Sequence, residues 1–81
     1  MNKNEIYKKL DGVFQDVFDD EKIHVDEKTT ANDIEDWDSL EHINLVVAIE
    51  QCFGIKFSMN EVTTMKNVGE MVNIIIERIN G

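Results

Sequence analysis

The sequence predicts an all-α fold, a small four-helix bundle with three main helices, a short third helix and a long first loop. Three observations carry this. Apolar residues recur at helical spacing in separate segments. Four cap-type residues (Asn2, Asp38, Ser58 and Asn67) are each followed three positions later by a glutamate, the spacing of a capping box. Ile74-Ile75-Ile76 has β-branched composition, but a helical period runs through it for three turns.

The first helix is expected from about Asn4 to Phe18, opened by Asn2 and Glu5, with Ile6, Leu10, Val13, Phe14, Val17 and Phe18 at helical spacing. Asp19 to Trp37 is polar and acidic. A loop of that length in a compact domain is usually functional or partly disordered, and its spaced anchors Ile23, Val25, Ile34 and Trp37 suggest one draped over the bundle. The second helix is expected from Ser39 to about Phe53, with Gly54 just past its end. Ser58-Met59-Asn60-Glu61 opens a short third helix carrying Val62 and Met65. Asn67-Val68-Gly69-Glu70 opens a fourth, with Val68, Met71, Val72, Ile75 and Ile79 on one face.

Eighty-one residues read as one domain, residues 1–81, with a thin core. An apolar fraction of 42% argues against a wholly disordered chain. The polar N-terminus does not resemble a signal peptide, and no apolar run reaches membrane-spanning length. The single cysteine, Cys52, cannot form an internal disulfide, so a cytoplasmic setting is expected; its position suits the buried side of a helix. The formal charge is −9. Between Asp11 and Glu50, thirteen acidic residues face only Lys22 and Lys28, a local charge of −11. Nucleic acid is excluded as a natural partner of such a surface, whereas basic protein surfaces suit it.

Asp38-Ser39-Leu40 is the most informative stretch. Asp38 takes the N-cap position and Ser39 the first helical position, with its hydroxyl beside the amide-rich helix end. A phosphate there would meet free N–H groups and the positive end of the helix dipole. An ordinary capped helix start would also read Asp-Ser. The second helix, however, has one apolar stripe too many. Leu45, Val46, Ile49, Cys52 and Phe53 form the natural core face, while Leu40, Ile43 and Val47, continued by Glu50, lie on another. That second stripe is either covered by the long loop or left exposed beside Ser39 as a docking strip rimmed by acids.

On these residues the chain resembles the acyl carrier proteins. The resemblance runs essentially end to end through the order of elements, the long first loop, Asp38-Ser39-Leu40, Glu50, Phe53-Gly54-Ile55 and Val68. It implies that Ser39 carries 4′-phosphopantetheine, moved from coenzyme A by a phosphopantetheinyl transferase with Mg²⁺ assistance, and that Asp38 helps to engage that enzyme. Leu40, Ile43, Val47 and Glu50 match positions at which family members touch partner enzymes, and Glu41 joins the same acidic rim. The carrier itself catalyses nothing and needs no resident metal. It holds acyl or related intermediates as a thioester and presents them to loading enzymes, acyltransferases and synthases, and a monomer is expected. Asn44 and Gln51 stand where acids are common, His42 follows the serine by three, and Trp37 replaces a usually small residue. These departures look more like free-standing carriers of specialised lipid, polysaccharide, aminoacyl or secondary-metabolite pathways than of fatty acid biosynthesis.

Three other readings start from the same residues. A serine hydrolase would pair Ser39 with His42 on one helical face, but the sequence offers no nucleophile elbow and little chain for a substrate pocket. A calcium loop starting at Asp33 puts Asn44 where the bidentate glutamate belongs. An unmodified acidic adaptor that binds partner proteins shares nearly every feature of a carrier and differs only in lacking attachment at Ser39. His42 is expected on the helix surface, beside the arm or paired with Asp38 or Glu35.

Overall fold

A computed structural model describes residues 1–80. The elements are α1 (Lys3–Val17), a 3₁₀ turn (Ala31–Asp33), α2 (Ser39–Phe53), α3 (Met59–Thr64) and α4 (Val68–Asn80), and the described residues contain no strand. The bundle is the one expected, and the α2 boundaries are those expected from the sequence.

Local chemistry explains each start. Asn2 accepts from the Glu5 N–H at 2.9 Å while the Glu5 carboxylate reaches back to the Asn2 N–H, a complete capping box. Ser58 and Glu61 make the same reciprocal pair for α3. At α4 the box is redirected. Asn67 accepts from the Glu70 N–H at 2.9 Å, but the Glu70 carboxylate takes the Lys66 N–H at 2.8 Å. The ends differ too. Gly54 closes α2 in the left-handed region at φ +67°, and Ile55 N–H donates to the Glu50 carbonyl. Asp19 does the same for α1 at φ +51°, with Asp20 N–H donating to the Gln15 carbonyl at 3.0 Å. An aspartate in that conformation sacrifices the freedom that favours glycine there.

Ile6, Leu10 and Phe14 of α1, Leu45 and Ile49 of α2, and Val68, Met71, Val72 and Ile75 of α4 form the core. The long loop is ordered and draped over the bundle. Val25 is buried, and Ile23, Ile34 and Trp37 pack against the core as anchors. Polar contacts hold it as well. Asp11 accepts from the Val25 N–H at 2.7 Å, and Gln15 donates to the Ile23 carbonyl at 2.8 Å. The loop in turn caps α4, because Val68 and Gly69 donate their N–H groups to the carbonyls of Thr29 and Glu27. A Cβ on Gly69 would stand 2.8 Å from that Glu27 oxygen, so the close approach requires glycine.

One expectation of burial fails. Cys52 is exposed. The buried arc of α2 centres on Val46 and Ile49, and Cys52 lies at its margin in the last turn, where Phe53 turns toward the core instead.

Candidate functional site

Ser39 opens α2 and is exposed at the head of its first turn. Asp38, in extended conformation, accepts from the Glu41 N–H at 2.8 Å, and the Asp38 carbonyl takes the His42 N–H at 2.9 Å. The reciprocal half of that box is absent. Asp38 donates its own N–H to the Asp36 carbonyl, and the Glu41 carboxylate accepts only from Asn44, at 3.4 Å. Two α2 donors, the N–H groups of Ser39 and Leu40, therefore have no acceptor among the described residues. An exposed hydroxyl beside free amides at the positive end of a fifteen-residue helix fits a phosphodiester on Ser39.

The surplus stripe is open. Leu40 is 70% exposed, Ile43 50% and Val47 45%, whereas Leu45 and Ile49 on the core face are fully buried. Neither the loop nor Trp37 covers the stripe. Met59 at the start of α3 is also exposed. Glu41 rims this surface. Glu50 is differently employed, since one of its carboxylate oxygens accepts from the Phe57 N–H at 2.8 Å and holds the connection between α2 and α3. Among the described residues Arg78 pairs with Glu61 and His24 Nδ1 lies 3.1 Å from the Asp11 carboxylate, while Asp36, Asp38 and Glu41 have no such partner and keep their charge for the surroundings.

His42 is half-buried at the wall of the cleft beside Ser39 rather than exposed, and it is not paired with Asp38 or Glu35. The Trp37 Nε1–H donates to His42 Nδ1 at 3.0 Å, and His42 Nε2 lies 2.9 Å from the Val62 carbonyl of α3. An imidazole that accepts at Nδ1 must carry its proton on Nε2, which then donates to Val62. The correction has a simple source. His42 sits three and four residues before Leu45 and Val46, on the core-facing arc of α2, and that spacing was visible in the sequence. Behind it, Trp37 meets Phe14 edge-on at 5.3 Å between ring centroids and Phe18 at 6.1 Å. This occupied imidazole is not placed to activate Ser39, which removes the hydrolase reading's base. A cleft of about 510 Å³ opens beside Ser39, lined on its apolar side by Ile43, Val62, Met65 and Met71 and walled by Trp37 and His42.

Residues 8–75 match the family described as a phosphopantetheine attachment site. The chain is 32% identical over 80 residues to an acyl carrier protein of Petrotoga mobilis, covering 99% of this chain and 94% of that one. It is 37% identical over 82 residues to an acyl carrier protein of Cyanidium caldarium, covering 99% and 93%. The solution structure of a holo acyl carrier protein from Geobacter metallireducens superposes with a TM-score of 0.85 at 39% identity, over 91% of this chain and 85% of that one. With most of its length inside the family match and the bundle shared, this chain belongs to the acyl carrier protein family, whose covalently attached group is phosphopantetheine.

Proposed function

We propose that Ser39 is the attachment residue and that the protein carries acyl or related intermediates as thioesters on its 4′-phosphopantetheine arm. The observation that supports this best is the exposed Ser39 hydroxyl at the α2 N-terminus, with two unoccupied N–H groups beside it and an uncovered apolar stripe running away from it. In the loading step the Ser39 oxygen attacks the phosphorus of coenzyme A that bears pantetheine. The pyrophosphate bond breaks, adenosine 3′,5′-bisphosphate leaves, and the serine proton passes to a base of the transferase. Once bound, the group supplies a terminal thiol on a flexible tether, which raises the effective concentration of cargo at each partner. Around it the chain's own residues position and steer. The Ser39 and Leu40 amides offset the phosphate charge. Asp38 holds the helix start, and Asp38, Leu40, Glu41, Ile43 and Val47 present the face on which a phosphopantetheinyl transferase and the acyl-handling enzymes dock.

Glu50 contributes charge at the far end of that face while anchoring Phe57. A cytoplasmic setting and a single monomeric domain belong to this proposal; no described helix is long and apolar enough to cross a membrane. The pathway proposed is a specialised one, because neutral Asn44 and Gln51 dilute the acidity of α2 and Trp37 and His42 rebuild the cleft. The test is incubation with coenzyme A, Mg²⁺ and a transferase of broad specificity. One phosphopantetheinyl mass should appear, mapped to Ser39, and Ser39→Ala should fold and take up none. Labelling that persists in that variant, or maps to Ser58, defeats the assignment.

A further inference from the structure

We propose that the hydrogen-bonded clasp Trp37–His42–Val62 limits the length of cargo sheltered beside Ser39, so that short or polar acyl groups lie in the cleft and long aliphatic tails stay outside the bundle. The inference rests on Ser39 as the attachment point. It deepens that reading by naming the class of cargo.

The cleft opens beside Ser39 and is lined by both apolar and polar side chains. Among its lining residues Met71 is the most deeply buried, 1% exposed, and the His42 imidazole is bonded on one side to the Trp37 indole and on the other to the Val62 carbonyl. His42 therefore spans the gap between α2 and α3, the gap through which a tail would pass inward. Trp37 closes the side toward α1, wedged against Phe14 and Phe18 and lying 5.9 Å from the His42 ring in a stacked arrangement. No slack lies beneath, because Phe14, Leu45 and Ile49 are fully buried in the core.

Insertion of methylenes here would separate three polar groups from their partners. The indole N–H, the imidazole N–H and the Val62 carbonyl would face hydrocarbon that neither donates nor accepts. Room would also have to be made in a packed core. A short group avoids both costs. It rests against Ile43, Val62 and Met65, and a hydroxyl on it finds polar neighbours among the lining residues in Thr63, Lys66 and Asn67.

The experiment loads the full chain with acetyl-, butyryl-, hexanoyl-, octanoyl- and decanoyl-phosphopantetheine, using the matching acyl coenzyme A thioesters and a transferase. The melting temperature of each form is read against its own unacylated holo form. In the wild type the melting temperature should stop rising after hexanoyl, and the emission of Trp37, the single tryptophan, should stay constant along the series. In His42→Ala the rise should resume, by on the order of 5 °C per added pair of methylenes. Trp37→Phe keeps an aromatic ring against Phe14 and Phe18 but removes the indole donor and part of the ring's volume, so it should give an intermediate slope and remain interpretable if His42→Ala folds poorly. A wild-type melting temperature that climbs evenly through decanoyl overturns the proposal, as does a plateau that persists in both variants. Intact mass, read first, separates these outcomes from failure of attachment: with no adduct on Ser39 the carrier reading itself falls.

Discussion

Glu61 does two jobs with one carboxylate. It accepts the Ser58 N–H at 2.8 Å, closing the α3 cap, and both of its oxygens lie 2.6 Å from Arg78 Nη2 of α4. The hydrogen bond from Ser58 comes first and the Arg78 guanidinium adds to it, so the acid is held below its ordinary value of 4.5 despite some burial. The folded state thus binds this proton less readily than the unfolded chain. Its contribution to stability is fully present above pH 4.5 and is lost as the pH falls through the lower folded value. Urea midpoints measured from about pH 6 down to about pH 3 should fall less steeply in Glu61→Gln than in the wild type. Parallel profiles would show that the Glu61 charge, held by Ser58 and Arg78 together, contributes nothing measurable. At this scale the sequence was legible where one residue served one neighbour three positions away, as with Ser58 and Glu61. It was not legible where a contact crossed the fold. Gly69 looked like a mere second residue of a helix, although its lack of a side chain is what lets the Glu27 carbonyl approach.

The helix is the scale at which the docking face is decided. On α2 the two stripes separate as the periodicity said, since every 100° step carries a residue from one environment toward the other. Val47→Asp should therefore shift stability by no more than about 0.5 kcal/mol, as surface changes usually do, yet impair transfer to partner enzymes. Ile49→Asp places a charge in a fully buried site and should cost roughly 3 kcal/mol or more, enough to unfold so small a domain. Thermal melts with a partner-transfer assay decide the matter. Equal destabilisation by both changes would mean that the Val47 stripe is covered in solution. Helix starts were readable because caps are local chemistry. The end of α1 was less so, because Asp19 takes the left-handed position without the glycine that marks Gly54. His42 was misplaced for a related reason. A polar residue on an apolar arc reads as an exception to the pattern until its partners, Trp37 and the Val62 carbonyl, are brought near by the loop and by α3.

For the molecule as a whole, charge is distributed rather than paired. The stretch from Asp11 to Glu50 carries −11, while the rest of the chain holds a small positive excess that leaves −9 overall. Among the described residues only Asp11, beside His24, and Glu61, beside Arg78, have a basic side chain within 4 Å, so most of this field is directed outward around the loop and α2. Such a field accelerates encounter with a basic partner and fades once salt shortens its range to about 10 Å or less. The consequence is a test that separates steering from mere solubility. Asp38→Asn removes one charge beside Ser39 but retains an N-cap acceptor for the Glu41 N–H, so the helix start survives. Glu77→Gln removes one charge from an exposed position of α4, near the other end of the chain. Both variants have the same net charge. At low ionic strength modification of Asp38→Asn should be slower by roughly two- to fivefold, with Glu77→Gln close to the wild type, and the gap should narrow as salt is added. Rates followed across a salt series give the answer. If the two substitutions slow modification equally, position does not matter, the acidity serves only to keep the protein dissolved, and recognition must rest on Leu40, Ile43 and Val47.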